Sequence, residues 1–202
     1  PQRQAASQAT GPLLILAGAG SGKTRALTHR IAKLINDGVP PWQILAVTFT
    51  NKAATEMRHR VEKILANGSR GMWVGTFHGL AHRLLRLHHR EAGLPEGFQV
   101  LDSDDQLRLV KRIANEMELD EGRFPRKQIV WWINAQKDEG RRPKHIQVPG
   151  GDFFTKTILL VYEAYEARCQ RSGLVDFAEI LLRAHELLLE HDALLHHYQN
   201  RF

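Results

Sequence analysis

One cysteine stands among 202 residues. Cys169 has no internal partner for a disulfide, and a chain so built fits a reducing compartment. Long apolar stretches are missing as well. Leu13–Ala17, an unbroken apolar run, is strand-sized and far below the ~20 residues of a membrane helix. The start carries no basic-then-apolar leader pattern, so a cytoplasmic protein is expected. It also lacks an initiator methionine and opens on Pro1, so sequence missing at the front is expected. No internal repeat and no low-complexity segment is visible. With 43% hydrophobic, 25% charged and 7% aromatic residues, the composition excludes disordered, collagen-like and disulfide-stapled classes. A globular chain of this length buries roughly 70% of its unfolded surface, enough for one core or two modest ones without metal or crosslink.

Acidic residues are scarce in the first half. Residues 1–101 hold 13 Lys and Arg against 5 Asp and Glu, whereas residues 102–202 hold 15 against 17. The formal charge of +6 therefore comes from the first half, which suggests that a polyanion is met there. A generally basic, solvated surface explains the same numbers equally well.

Within that half, short apolar runs alternate with helical spacing. Leu13–Ala17 reads as a strand buried on both faces, Leu27, Ile31, Leu34 and Ile35 as one helix face, and 44–49 as a second buried strand. Asn51 is expected to cap the next helix, which ends near Gly68; 72–77 is expected to be a third strand, followed by a helix over 80–91. This order predicts a parallel sheet with helical crossovers. Beyond residue 101 the pattern turns mostly helical. Ser103-Asp104-Asp105-Gln106 reads as a capping box, Pro125 as a first-turn proline, 154–171 as a long helix stopped by Gly173, and Asp176 as the cap of another.

Between the first expected strand and helix lies Ala17-Gly18-Ala19-Gly20-Ser21-Gly22-Lys23-Thr24. Glycines at alternate positions let successive backbone N–H groups point inward at a phosphate chain, and the helix start behind them adds partial positive charge. Lys23 is placed to reach the β- and γ-phosphates, and the Thr24 hydroxyl to ligate Mg²⁺. Ala17 stands where the usual pattern has glycine, a departure that removes neither the nest nor the lysine. The plainer alternative is a glycine-rich turn with a chance Gly-Lys-Thr. Kinases, GTPases, transporters and motors all use such a loop.

At the end of the second strand stand Phe49, Thr50, Asn51 and Lys52, and at the end of the third Thr76, Phe77, His78 and Gly79. Ligands bind at the carboxyl edge of parallel sheets. An aromatic face there stacks on an unpaired base of any identity, while hydroxyls, helix-start amides and a lysine hold phosphate. Taken singly, phenylalanines at such positions are core residues more often than stacking platforms; the repetition at two equivalent strand ends favours a single-strand track.

The segments Ala17–Thr24, Thr48–Ala54 and Thr76–Gly79 resemble motifs I, Ia and Ib of superfamily 1 DNA helicases of the UvrD/Rep/PcrA family, and the similarity extends over nearly the whole chain. The resemblance implies an α/β fold: a RecA-like P-loop NTPase parallel sheet (subdomain 1A, residues 1–90) with a mostly helical subdomain 1B (91–202) whose end returns toward 1A. It implies a 3′-to-5′ ATP-dependent helicase of repair and replication, with ATP and Mg²⁺ as cofactors and single-stranded DNA, single/double-strand junctions and repair proteins as partners. Gln2 would read the adenine edge, Ala17 through Thr24 would hold the triphosphate, and Arg25 would pack against the base. Phe49, Thr50, Asn51, Lys52, Thr76 and His78 would touch DNA. The family's acidic motif II is absent from these residues, so the chain alone is expected to be inactive and to be the N-terminal piece of the enzyme. The rival readings are a stand-alone ATP- and nucleic-acid-binding module without hydrolysis and a small-molecule P-loop kinase.

Other features carry less. His88-His89 and His196-His197 are adjacent pairs, and neighbours on a helix point ~100° apart, so solvated surface is expected rather than a metal site. One of Trp131 and Trp132 is expected to be buried. Arg141-Arg142-Pro143-Lys144 reads either as a duplex-backbone contact or as a solvated run. Cys169 is expected to pack.

Overall fold

The computed structural model describes residues 2–8, 11–18, 20–65, 70–148, 150 and 152–202. The chain divides into two compact units: unit 1 comprises Pro1–Leu80 with Ala193–Phe202, and unit 2 Ala81–Asp192. Among the described residues no helix is long and apolar enough to cross a membrane.

Unit 1 contains α1 (Gln2–Ser7), α2 (Lys23–Asn36), β1 (Leu45–Thr48), α3 (Asn51–Ile64), β2 (Trp73–Thr76) and the start of α4 (Phe77–Leu87). β1 and β2 pair in parallel, Leu45 opposite Trp73 and Thr48 opposite Thr76, so both strands end level. The intervening α3 is the crossover that a parallel pair requires. The apolar residues that spaced as helix and strand faces meet in one core: Ile31 and Ala32 from α2, Ala46 and Val74 from the strands, and Ala54, Met57 and Val61 from α3. At the far end of β2, Trp73 packs against Tyr198 and Phe202, with ring centroids 5.7 and 5.5 Å away, near the end of α9 (Asp192–Arg201).

Leu13–Ala17 departs from expectation. It forms no strand; Leu14 and Leu16 are 80% and 86% exposed, and Leu13 and Ile15 half-buried. A strand is stable only as one side of a ladder. Among the described residues, β1 and β2 have only each other as partners. Two caps also differ. Thr50, not Asn51, caps α3, its hydroxyl accepting from the Ala53 amide at 3.1 Å. Asp102, not Ser103, caps α5 (Ser103–Glu116), accepting from Asp105 N at 2.7 Å. In both cases the residue one place earlier has the extended backbone a cap needs. α4 starts three residues sooner than the apolar spacing implied, directly at the end of β2. Gly68 lies outside the described residues.

Unit 2 packs α5, α6 (Arg126–Asp138) and α7 (Phe153–Ser172) around Val110, Ile113, Ile129, Ile133, Ile158, Val161, Tyr162 and Tyr165. The short β3 (Gln99–Val100) pairs in parallel with β4 (Leu174–Val175). Gly173 ends α7 at φ +62, and a Cβ there would lie 2.6 Å from Pro95 Cγ; only glycine meets both demands. Asp176 caps α8 (Phe177–Glu190) as expected, at 2.8 Å from Glu179 N. Asp176 also belongs to a buried charge network. The Lys137 ammonium lies 2.7 Å from Asp176, 2.8 Å from Glu166 and 2.9 Å from Glu179. Arg142 reaches Glu166, Glu179 and Glu186. Neither reading of the Arg141–Lys144 run therefore holds for Arg142, which is an interior counter-ion. Trp131 is 69% exposed, while Trp132 meets Tyr162 edge-on. Cys169 is buried, and desolvation pushes its thiol up to about 12, the behaviour of a packing residue.

Candidate nucleotide and nucleic-acid site

The glycine loop leads into α2 through left-handed backbone, with Gly20 at φ +74 and Gly22 at φ +87. A Cβ on Gly22 would come 2.6 Å from Gln2 Nε2, which can swing aside, so it is the left-handed conformation that opposes a side chain there. Lys23 turns its ammonium back over the loop and donates to Ala17 O at 2.5 Å and Gly18 O at 2.7 Å. Ser21 Oγ also donates to Gly18 O, at 2.7 Å. Gln2 Nε2 donates to Ser21 O at 2.6 Å, joining α1 to the loop across nineteen residues.

These residues wall a cavity of about 580 Å³, lined among others by Gln2, Arg3, Ile15, Ala17, Gly22 and Lys23. That size suits a small organic ligand. The structure thus brings Gln2, Ala17, Ser21, Gly22 and Lys23 together. Thr24 and Arg25 are exposed but do not line this cavity; Arg25 faces a separate basic hollow with His29, Arg60 and Lys63. Ala19 lies outside the described residues. Ile15 and Arg3 were not singled out from sequence. For Arg3 the only available signal was its place beside Gln2, and for Ile15 its apolar run read as buried strand.

The residues fit a bound polyphosphate: a glycine loop at a helix start, a lysine with no ion-pair partner among the described residues that rests on two carbonyl acceptors, and an adjoining cavity. A hydroxyl of the Thr24 type is a hard oxygen ligand suited to Mg²⁺.

The two strand ends form a second cluster in the same unit. Phe49 is 93% exposed and Phe77 57% exposed, and their rings meet edge-on at 6.4 Å. They are therefore not core aromatics. Thr48 Oγ1 donates to Thr50 O at 3.0 Å, fixing the turn that presents Phe49. Thr76 Oγ1 accepts from Gly79 N at 3.1 Å, repeating at the start of α4 the role Thr50 has at α3. Asn51 and Lys52 are exposed at the start of α3, and His78 is half-buried. Farther along α4, His82 accepts from Arg86 Nε at 3.2 Å. Burial and the Arg86 charge lower its pKa, so its ring is neutral near pH 7. Among the described residues no cluster of His, Cys, Asp and Glu is arranged to hold a metal ion.

Comparison with protein-family models matches residues 1–202, the whole chain, to the UvrD/REP helicase N-terminal domain. The chain belongs to this family. It is 58% identical over 202 residues to DNA helicase II of Escherichia coli (strain K12) and 52% identical over 206 residues to DNA helicase II of Haemophilus influenzae. It is 39% identical over 202 residues to the ATP-dependent DNA helicase PcrA of Bacillus subtilis (strain 168). Each match covers all of the chain but only 27–28% of the relative. The chain spans little more than a quarter of the length of these helicases. As a UvrD/REP helicase N-terminal domain it has an α/β architecture, mostly helical, with small parallel sheets.

Proposed function

We propose that this chain is the nucleotide- and strand-engaging part of an ATP-dependent 3′-to-5′ DNA helicase acting in repair and replication. The observation that carries the reading is the pair Phe49 and Phe77, exposed at level strand ends in the unit that also holds the glycine loop. Unit 1 corresponds to a RecA-like subdomain 1A and unit 2 to subdomain 1B.

The roles are those that membership of the family implies. The loop amides of residues 18–22 and the Lys23 ammonium hold the triphosphate, and Lys23 exchanges its carbonyl acceptors for phosphate oxygens. Thr24 would supply a hydroxyl to Mg²⁺, Gln2 would face the base edge, and Arg25, which stands outside the loop cavity, would turn toward the base to pack on it. ATP supplies the free energy of strand movement. Phe49 and Phe77 stack on unpaired bases, while Thr50, Asn51, Lys52, Thr76 and His78 hold the backbone. Stacking is indifferent to base identity, as a motor needs. Single-stranded DNA and single/double-strand junctions are the partners, with repair proteins joining the intact enzyme.

Anisotropy with a labelled oligonucleotide tests the reading. Phe49→Ala lowers single-strand affinity roughly 5- to 150-fold, the equivalent of one stacked base, and leaves binding of a fluorescent ATP analogue unchanged. Unaltered DNA affinity would favour a small-molecule kinase instead.

A further inference from the structure

Unit 2 contains a cavity of about 290 Å³ lined by Leu107, Lys111, Glu121, Pro125, Arg126 and Lys127. Arg126 is 5% exposed, and among the described residues every hydrogen-bond partner of its guanidinium is neutral. Nη1 donates to Phe124 O at 2.9 Å; Nη2 donates to Leu119 O at 2.7 Å and to Asn115 Oδ1 at 3.0 Å. Its Nε is buried without a partner. A buried charge without a counter-ion is costly, and an opposite charge brought close offsets that cost.

The surroundings point to the same sign. Lys111 and Lys127 are exposed, and neither has an ion-pair partner among the described residues. Here α6 begins with no side-chain cap and no acid in its first turn; the Gln128 amide donates to Pro125 O at 2.9 Å, which leaves the Arg126 and Lys127 amides and the positive end of the helix dipole for a ligand. Glu121, on the same wall, balances only one of the three cations. The Lys137 network of the same unit, where each buried cation meets carboxylates, is the contrast.

We propose that this cavity is an oxyanion site that takes one phosphate group, held by the Arg126 charge, the Lys111 and Lys127 ammonium groups and the first amides of α6. The chemistry is shared by free phosphate and by a phosphodiester of nucleic acid. The site is independent of the glycine loop.

The test is an amide NMR titration of the full 202-residue chain carrying Lys23→Ala, which removes the loop's response, with inorganic phosphate and separately with a twelve-base-pair duplex. Saturable shifts at the Arg126 and Lys127 amides are expected. The exposed-residue double variant Lys111→Gln/Lys127→Gln, added to that background, should weaken binding about tenfold or more while keeping the dispersed spectrum of a folded chain. Shifts with duplex at far lower concentration, lost steeply with salt, identify a phosphodiester as the natural source; shifts with phosphate alone identify a free oxyanion. Amides unmoved by either ligand, or a double variant that responds like its parent, would overturn the site.

Discussion

Lys23, Phe49 and Lys52 of unit 1 are exposed at loop and helix starts, whereas Lys137, Asp176 and Glu179 of unit 2 are enclosed and bonded to one another within 3 Å. Lysine stands in both sets, but the physics around it is opposite. A lysine resting on two carbonyls stays ready to change partners. One that satisfies three carboxylates away from water holds elements together. Removing it strands those carboxylates. Exposure and satisfaction, rather than charge, separate the residues set to act from those that support.

The sharpest way to break this comparison is to delete one lysine of each kind. Lys137→Met leaves buried carboxylates uncompensated and should cost about 3–5 kcal/mol in urea unfolding. Lys23→Ala should change stability by less than about 0.5 kcal/mol while abolishing binding of a fluorescent ATP analogue. Equal unfolding midpoints for the two variants would end the distinction.

A smaller effect comes from pH. Burial raises the Glu179 pKa, but Lys137, Arg142 and Arg183 overcome it and hold the carboxyl at about 2. The folded pKa is below the ordinary 4.5, so this contribution is complete above that value and is lost as pH falls toward 2. Acid unfolding followed by circular dichroism should show it, and Glu179→Gln should flatten that part of the curve. The smallest expected effect belongs to unit 1. Thr50→Ala removes the α3 cap and should cost about 1 kcal/mol, read as a lowered midpoint; no loss would mean that Asn51 takes over as cap.

Much of the arrangement was legible in the residues. β1, β2 and the helices after them follow apolar spacing, because a buried face must repeat at 2.0 or 3.6 residues whatever the rest of the chain does. Gly173 and Asp176 were legible because left-handed backbone and helix caps are local chemistry. Leu13–Ala17 was misread for the complementary reason: an apolar run reports a willingness to be buried, and only a neighbouring ladder makes it a strand. Arg142 was misread because its three carboxylate partners are 24 to 44 positions away. The buried charge of Arg126 left no sequence signal at all.

By itself, then, the sequence determined the glycine loop, the periodicity of its helices, the caps to within one residue, and the family. Those depend on contacts a few residues apart or on motif identity. The tertiary structure decided which charges are interior and matched, that Gln2 reaches the loop at Ser21, and that Phe49 and Phe77 stand exposed together at level strand ends. Each of these depends on segments distant in sequence being brought within a few ångströms, and no local pattern encodes that distance.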